Sequence, residues 1–314
     1  MRRLIVDTDP GIDDTAAFFM AFGSGRVEIE AVTTVFGNSS VENCTRNAIT
    51  ILEAVGRPDI PVYGGAGKPL LRENPGLGAL VHGEDGMGEA GLPSPTGAPT
   101  PGIAAAEIVR RVMAAPGEID LVALGPQTNV ALALSLEPAV AGALRSLTVM
   151  GGTAQLPGNV TPVATANHWY DPEAAAIVYG SGAPVVQAGL DVARMVATPQ
   201  ERLQEFWATA TPAAKILEAI TPFHDQAYKM MGRQPEGRIR YNDVPAMGYL
   251  LAPELYETLF AYVAVETHGE HTLGQTVVDV EGVRFQPPNV TVCTGVDAAG
   301  LIDLFVSSLM TLGS

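Results

Sequence analysis

Short apolar runs alternate with helix-forming segments through the first two thirds of the chain, and this alternation constrains the fold more than any other feature. Six runs are predicted to be buried strands because their apolar residues are nearly continuous: RLIVD, VEIEAVTTVF, IPVY, IDLVAL, LRSLTVM and APVVQAG. Helical patterns such as TNVALALSL and DPEAAAIVYG lie between them. This order is typical of a mainly parallel central sheet covered by helices on both faces. Because the alternation is unbroken, we predict a single α/β domain over residues 1–314.

Three segments are longer or less regular than the connections between these predicted strands and helices. Residues 64–100 are rich in glycine and proline and too long for an ordinary connection, so they are expected to be functional or mobile. Residues 151–170 are predicted to form a polar loop, and residues 199–250 to be helical with an irregular stretch at 232–240. A final helix is predicted near 297–312.

Polar residues gather where the predicted strands end. The first strand runs into DTDPGIDD, which places four aspartates within eight residues. The segments FGN (36–38), LGPQTN (124–129) and MGG (150–152) follow other strands. In open α/β sheets ligands bind beyond the carboxyl ends of the strands, so these segments are expected to converge in space.

The aspartate cluster has two interpretations. Asp13 can cap the following helix and Asp14 can favour its dipole, each contributing about 0.5–1 kcal/mol, but Asp7 and Asp9 are then unexplained. Crowded carboxylates are instead stabilised by a cation. Because no histidine or cysteine lies nearby in the sequence, a hard ion such as Ca²⁺ or Mg²⁺ fits. The residues alone leave both metal binding and helix capping open.

The charge balance excludes one class of partner. The chain has 34 acidic residues against 18 basic ones and a formal net charge of −16. Non-specific nucleic-acid binding needs lysine and arginine to neutralise phosphates, so no nucleic-acid partner is expected.

The two cysteines, Cys44 and Cys293, lack metal-type spacing and are expected to be buried thiols. No signal-peptide or membrane-spanning stretch is apparent, so we expect a cytoplasmic protein without a membrane partner.

Several blocks of sequence accompany the aspartate cluster in a fixed order. They are AVTTVFGN (31–38), HGEDGMG (82–88), GPQTN (125–129), VMGG (149–152), GNVTPVATANHWYDPEAA (158–175) and, more weakly, YNDVPA (241–246). Together with DTDPGIDD they resemble the inosine-uridine-preferring nucleoside hydrolase family. The resemblance implies that family's fold, a small-molecule ribonucleoside substrate, and a homodimer or homotetramer. It also implies calcium-dependent hydrolysis of the N-glycosidic bond, giving ribose and free base through an oxocarbenium-like transition state.

Carried over residue by residue, the resemblance implies one Ca²⁺ per subunit. The protein ligands would be Asp9, Asp14, Asp243 and the backbone carbonyl of Leu124, with a water and two ribose hydroxyls completing the shell. Asp9 would also act as general base on the metal-bound water, because Ca²⁺ acidifies water far less than Zn²⁺ does. Asp7 would orient the cluster from behind.

The resemblance places a second group of residues around the sugar. Asp13 would accept a hydrogen bond from the ribose 2′-hydroxyl, and Asn38 would lie beside that hydroxyl and the attacking water. Asn159 and Asn167 would hold the remaining hydroxyls. In parasite-type members an acidic residue grips the outer hydroxyls of the sugar. Thr165 stands at that position here, and a neutral group forms weaker hydrogen bonds than a carboxylate.

The group that protonates the leaving base is not evident from the sequence. Parasite-type members carry a histidine directly before the C-terminal metal aspartate, whereas this chain has Asn242, which cannot donate a proton at pH 7. His82, His168 and His224 are candidate replacements, although each can equally be a structural or surface residue. Tyr228 can contact the base or simply pack.

Three arginines, Arg233, Arg238 and Arg240, lie shortly before Asp243. They can form a solvated loop, or one of them can reach a carboxylate or phosphate of the substrate. The sequence therefore leaves the role of this basic segment open.

Other functions compete with ribonucleoside hydrolysis. A phosphohydrolase of the haloacid-dehalogenase type also uses DxD after the first strand, but it needs a downstream lysine and a later acidic pair. The two lysines beyond GGAGK, Lys215 and Lys229, do not follow a predicted strand. A ribose- or nucleoside-binding protein with a decayed hydrolase site is motivated by Thr165 and Asn242, while the intact aspartates argue against it. A hydrolase of a modified nucleoside is the remaining alternative.

Overall fold

The computed structural model describes residues 1–74, 76, 78–233 and 235–313. Among these residues, nine strands form one central sheet. They are β1 (Arg2–Thr8), β2 (Val27–Thr34), β3 (Val62–Gly64), β4 (Ile119–Ala123), β5 (Ser146–Met150), β6 (Val185–Ala188), β9 (Tyr256–Val265), β10 (Thr276–Asp279) and β11 (Val290–Val296). A separate two-stranded sheet pairs β7 (Thr198–Pro199) with β8 (Arg238–Ile239).

Thirteen α-helices connect or cover the strands in the described part of the chain. They are α1 (Ile12–Ser24), α2 (Val41–Ala54), α3 (Ala79–His82), α4 (Ala104–Ala114), α5 (Thr128–Leu136), α6 (Val140–Ala143), α7 (Ala166–Tyr170), α8 (Pro172–Gly180), α9 (Leu190–Ala193), α10 (Gln200–Trp207), α11 (Pro212–Met230), α12 (Asp243–Leu251) and α13 (Ala298–Leu312). The side chains of Ser40, Thr211 and Asp297 each accept a hydrogen bond from the amide three residues later and so cap α2, α11 and α13. In the residues that the structure describes, no helix has the length and apolar character needed to cross a membrane.

The sheet is parallel except at one edge. Its strand order is β10-β9-β11-β6-β5-β4-β1-β2-β3, and only β9 runs antiparallel to its described neighbours, β10 and β11. Alternate residues of β1 enter two different hydrophobic clusters: Leu4 and Val6 pack with α1, α12 and α13, while Ile5 packs with α4, α5 and α8. Helices therefore cover both faces, and the predicted mainly parallel α/β fold is confirmed.

Helices α1 and α13 pack unusually close together. A Cβ atom placed on Gly23 would lie 1.9 Å from the carbonyl oxygen of Ser308, a separation that no real side chain tolerates. Gly23 is thus required by the packing of α1 against α13, and it lies inside the helix, which continues to Ser24.

The long segment 64–100 is held near its start by polar contacts with the beginning of α8. The Leu70 amide donates to Asp171 Oδ2 at 2.9 Å, and the guanidinium of Arg72 pairs with Glu173 at 2.6 Å. The short helix α3 follows within the segment, just as α7 lies within the predicted polar loop 151–170. Both helices are only four or five residues long, so tertiary contacts rather than periodicity determine them.

Candidate active site

A cavity of about 380 Å³ opens beyond the carboxyl ends of β1, β2, β4 and β5. The strand-end segments that were expected to converge do meet here. Segment 78–82 and the end of α11 form the opposite wall. The predicted site residues that line the cavity are Asp13, Asn38, His82, Leu124, Asn159, Thr165, Asn167, Tyr228, Asn242 and Asp243.

Three buried carboxylates meet at the floor of the cavity. Oxygen atoms of Asp13, Asp14 and Asp243 all lie within 4.8 Å of one another, and none of the three residues is more than 6% exposed. Burial raises the pKa of all three, and repulsion among the carboxylates raises the pKa of Asp14 and Asp243 further. Within the described residues, no lysine or arginine forms an ion pair with them. His82 Nε2 lies 3.8 Å from Asp13 Oδ1, and His224 also interacts electrostatically with Asp13. Such a cluster needs a cation to be stable in its charged form.

Asp9 lies beside this trio and is held by Asn38. Asp9 Oδ2 accepts from the Asn38 amide at 2.8 Å, and the Asn38 side chain donates to the Asp9 carbonyl at 3.1 Å and to Asp14 Oδ2 at 2.9 Å. Two glycines make room for Asp9: a Cβ on Gly37 would lie 2.0 Å from Oδ2, and one on Gly125 would lie 2.5 Å from Oδ1. The glycines of FGN and LGP are therefore required by close approach.

Asp7 and Thr8 support the cluster from behind the cavity wall. Thr8 Oγ1 donates to Asp14 Oδ1. Asp7 Oδ1 accepts from Thr33 Oγ1 at 2.6 Å and from Asn129 Nδ2 at 2.8 Å, while Asp7 Oδ2 is buried without a hydrogen-bond partner in the described part of the chain. Burial raises the pKa of Asp7 to about 7. These contacts tie the end of β1 to β2 and α5.

The donor set suits a hard divalent cation. Carboxylate oxygens converge, Asp13 Oδ1 is buried and lacks a hydrogen-bond partner among the described residues, and the Leu124 residue of the predicted ligand set lines the same cavity. Ca²⁺ and Mg²⁺ prefer carboxylate and backbone carbonyl oxygens of this kind. By distance, Asp13 joins Asp14 and Asp243, whereas Asp9 lies outside the group of atoms within 4.8 Å.

Asn159 and Asn167 form another wall of the cavity. Asn167 Nδ2 donates to the carbonyl of Leu124 and, at 3.0 Å, to that of Met150, so it joins the ends of β4 and β5. Asn159 Oδ1 accepts from the Ala166 amide at 2.9 Å at the start of α7. Both side chains are therefore fixed by backbone contacts before any ligand binds.

Thr165 and His168 form a pair at the edge of the cavity. Thr165 Oγ1 accepts from the Gly152 amide at 2.9 Å and is hydrogen-bonded to His168 Nδ1 at 3.1 Å. Thr165 lines the cavity but His168 is absent from its described lining, and the ring of His168 packs edge-on against Tyr179 with centroids 5.3 Å apart. Burial lowers the pKa of His168 to about 3. This geometry suits a buried structural histidine.

His82 at the end of α3 and His224 in α11 lie close together, with ring centroids 6.0 Å apart. His82 Nδ1 accepts from the Ile12 amide at 3.1 Å, so the ring hydrogen is on Nε2 and faces Asp13. The ring of His224 stacks on Tyr228 at 4.3 Å, and its two nitrogens have no hydrogen-bond partner among the described residues. Burial lowers the pKa of each histidine to about 4, so both rings are uncharged at neutral pH.

Asn242 orients a neighbouring hydroxyl. Its Nδ2 donates to Tyr228 Oη, so the phenol oxygen accepts in this bond and keeps its own hydrogen for another partner. Both residues line the cavity, and burial raises the pKa of Tyr228, which keeps the phenol neutral. Asn242 itself lacks an acidic proton, but it leaves the O–H of Tyr228 available to a ligand.

Comparison with known proteins decides the family. The family model described as inosine-uridine preferring nucleoside hydrolase matches residues 4–303. The chain belongs to this family. This nucleoside hydrolase is 38% identical over 311 residues to the pyrimidine-specific ribonucleoside hydrolase RihA of Salmonella gallinarum, with 98% of this chain and 97% of that protein covered. The predicted family and its class of N-ribosyl hydrolases are confirmed.

Solved structures agree over the whole chain. The purine-preferring ribonucleoside hydrolase from Gardnerella vaginalis is similar with a TM-score of 0.94 at 30% identity, covering 99% of each chain. A plant nucleoside hydrolase is similar with a TM-score of 0.93 at 31% identity, covering 98% of each chain. The fold of this enzyme is therefore that of nucleoside hydrolases.

Several residues of the site were not predicted individually. Thr8 and Asn129 hold the aspartates, and Tyr170 and Met231 line the cavity. Arg233, one of the three arginines whose role the sequence left open, lines it too. The conspicuous block GPQTN contains Asn129, and the family-like block 158–175 contains Tyr170. No sequence signal marked Met231, because it enters the cavity only through the position of α11.

Proposed function

We propose that this nucleoside hydrolase cleaves the N-glycosidic bond of ribonucleosides with the help of one bound Ca²⁺. The convergence of buried carboxylates from Asp13, Asp14 and Asp243 beside a cavity of about 380 Å³ carries this proposal. The metal would be held by Asp9, Asp14, Asp243 and the Leu124 carbonyl, with Asp13 close enough to share in the site. When bound, the ion supplies positive charge that acidifies water and binds sugar hydroxyls.

The side chains of the protein provide the remaining steps. Asp9, fixed by Asn38, takes a proton from the attacking water as general base. Asp13 and Asn38 hold the 2′-hydroxyl, while Asn159 and Asn167 address the other hydroxyls. Thr165 lines the cavity beside them with its hydroxyl bonded to the Gly152 amide and His168. Negative charge at the cavity floor stabilises the positive charge that develops on the sugar in the oxocarbenium-like transition state. Asp7 positions the cluster from behind.

Departure of the base needs a hydrogen-bond donor on the side of the sugar that faces away from the attacking water. Tyr228 Oη has its hydrogen available because Asn242 occupies the oxygen as a donor. His82 presents Nε2–H to the same cavity, and His224 stacks on the Tyr228 ring. We assign the contact with the base to Tyr228 and His82, with His224 and Asn242 positioning Tyr228. His168 is left with a structural role.

We propose pyrimidine ribonucleosides as the first substrates to test, because the Salmonella gallinarum relative at 38% identity bears a pyrimidine-specific name. The Gardnerella vaginalis neighbour at 30% identity is named purine-preferring, so inosine belongs in the same panel. The homodimer or homotetramer implied by the family resemblance stays a prediction.

The test is a panel of uridine, cytidine and inosine with a reducing-sugar readout. Release of ribose from at least one of them, lost in Asp9→Ala, supports the proposal. Near-normal turnover by Asp9→Ala would show that the general base is assigned wrongly. A nucleoside-binding protein with a decayed site is the second candidate, favoured by Asn242 and Thr165, and it would give calcium-dependent binding without turnover.

A further inference from the structure

Arg233 at the outer end of the cavity is linked to two further arginines, and in the described part of the chain the hydrogen bonds of all three go to backbone carbonyls, apart from a contact of Arg233 with the Met231 sulfur at 3.7 Å. Arg233 lines the cavity, is exposed, and donates to the Asn159 carbonyl at 2.8 Å. Arg240 donates to the Arg233 carbonyl and, at 3.1 Å, to the Arg194 carbonyl. Arg194 in turn donates to the Gly158 carbonyl at 2.9 Å. We call Arg194, Arg233 and Arg240 the arginine cluster.

In the described part of the chain no carboxylate forms an ion pair with the arginine cluster, although Asp191 attracts Arg194 from beyond ion-pair distance. Among the described residues, no aspartate or glutamate oxygen lies within 4.0 Å of any of the three guanidinium groups. Burial, with repulsion from Arg233, lowers the pKa of Arg194, and burial, with repulsion from Arg194, lowers that of Arg240. Arg240 Nε is also buried without a hydrogen-bond partner in the described part of the chain. Arg233, the member of the cluster in the described cavity lining, is therefore an exposed cation at the cavity mouth with no carboxylate within 4.0 Å among the described residues, and it is free to bind an external anion.

Charge is also distributed unevenly along the cavity. The acidic residues in its lining are Asp13 and Asp243, both at the floor, whereas Arg233 lies beside Asn159 at the outer end. Thr165 adds no negative charge there, and its hydroxyl is already engaged by the Gly152 amide and His168. A ligand that is cationic at its reacting carbon and anionic at its outer end matches this distribution.

Resting on the proposed hydrolysis of ribonucleosides, we propose that the preferred substrates carry an anionic group, a phosphate or a carboxylate, on the 5′ carbon of the ribose, bound by Arg233. A ribose with its 2′ side at Asp13 and its outer hydroxyl at Asn159 would place its 5′ carbon near Arg233, because the Arg233 guanidinium donates to the Asn159 carbonyl. A guanidinium binds both anions through paired N–H donors.

The 5′ group takes no part in the chemistry. The C1′–N bond breaks, the oxygen of water bonds to C1′, one water proton ends on the departing base and the other stays on the new hydroxyl. Uridine 5′-phosphate therefore gives uracil and ribose 5-phosphate, without release of inorganic phosphate.

The first experiment compares kcat/KM for uridine 5′-phosphate, uridine 5′-carboxylate and uridine, measured as uracil release by the calcium-supplemented full-length enzyme. The kcat/KM of at least one of the two anionic substrates should exceed that of uridine by roughly 10-fold or more. This ratio of kcat/KM values should fall as the salt concentration is raised. The better of the two identifies the anion. Ratios at or below one for both would overturn the inference.

Two substitutions test whether Arg233 produces the preference for the anionic substrate. Arg233→Gln should lower the ratio of anionic substrate to uridine by roughly 10-fold, because the charge next to the 5′ end is removed. Arg238→Gln is the matched control: Arg238 lies in the same segment, is exposed, donates to the Ala197 carbonyl and is not part of the described cavity lining. An Arg233→Gln ratio equal to that of Arg238→Gln would contradict the assignment.

The failure of this inference is distinguishable from failure of the proposed function. If uridine is cleaved and neither anion is preferred, only the inference fails. If no nucleoside is cleaved, the proposed function fails, and calorimetry on the same calcium-supplemented enzyme still decides the inference. Tighter binding of uridine 5′-phosphate or 5′-carboxylate than of uridine, by roughly 10-fold, supports it; equal dissociation constants overturn it.

Discussion

At the scale of single residues, the site depends on a few side chains whose partners fix their orientation before a ligand arrives. Asn38 joins Asp9 to Asp14, and Asn167 joins the ends of two strands through their carbonyls. Asn242 is the most informative departure from the parasite-type pattern. It replaces a histidine, yet by donating to Tyr228 Oη it turns a neighbouring hydroxyl into the available donor.

Tyr228→Phe should therefore slow hydrolysis of uridine by about 10²-fold or more, since a positioned proton donor typically contributes that much. Hydrolysis of p-nitrophenyl riboside, whose leaving group needs no proton, should change far less. Tyr241→Phe is the control, because Tyr241 is a buried neighbour whose hydroxyl bonds to Thr221 and which is not among the residues described as lining the cavity. Equal losses on both substrates would show that Tyr228 does not assist the leaving group.

His168 should make the stability of the protein depend on pH. Burial lowers its pKa from 6.5 to about 3, so between these values the unfolded state binds a proton that the folded state does not. The free energy of unfolding should fall as pH drops from about 6 to 4, by up to about 1.4 kcal/mol per pH unit from this residue.

The measurement for His168 is chemical unfolding across that pH range. His168→Gln should show a shallower pH slope than wild type, whereas His271→Gln, which changes an exposed histidine, should keep the wild-type slope. Identical slopes for all three proteins would mean that His168 does not resist protonation in the folded state.

At the scale of elements, the close contact between α1 and α13 positions the aspartates, because Asp13 and Asp14 occupy the first turn of α1. Gly23→Ala should lower the free energy of unfolding by about 1–3 kcal/mol, since its Cβ would meet the Ser308 carbonyl at 1.9 Å. Gly180→Ala is the matched control: it lies in α8, and its Cβ would meet no atom within 4 Å. Denaturant unfolding of both variants tests this, and an equal effect would contradict the packing argument.

At the scale of the whole molecule, the sequence predicted the sheet better than the site. Runs such as RLIVD and IDLVAL are apolar because β1 and β4 are buried on both faces, so they were recognisable without tertiary information. Strand β10 was missed because its four residues are mostly half-exposed and gain their order from pairing with β9. Its pattern carries too little signal on its own.

The sequence predicted the site residues that lie close together along the chain. It did not predict those whose side-chain direction depends on tertiary packing. The aspartates of DTDPGIDD stood out as a cluster, and Asp243 came only with the family resemblance. His168 follows Asn167 directly, yet neighbouring positions on a helix point in different directions, so Asn167 enters the cavity while His168 packs against Tyr179. The arginine cluster was invisible as a unit, because Arg194 is distant in sequence from Arg233 and Arg240.

Ca²⁺ should also stabilise the folded protein as a whole. A ligand that binds only the folded state adds about 2.7 kcal/mol at 100 times its dissociation constant. The melting temperature should therefore rise with Ca²⁺ in wild type and rise less in Asp14→Asn, where one carboxylate of the trio is neutral. The same rise in both proteins would place the ion elsewhere.

The most direct test of the central claim is ribose release from uridine by one enzyme preparation measured before chelation, after chelation and after Ca²⁺ is added back. The carboxylate cluster predicts activity that is lost with the metal and returns with Ca²⁺ in a saturable manner. Ribose release that continues unchanged after complete removal of divalent ions would contradict the account.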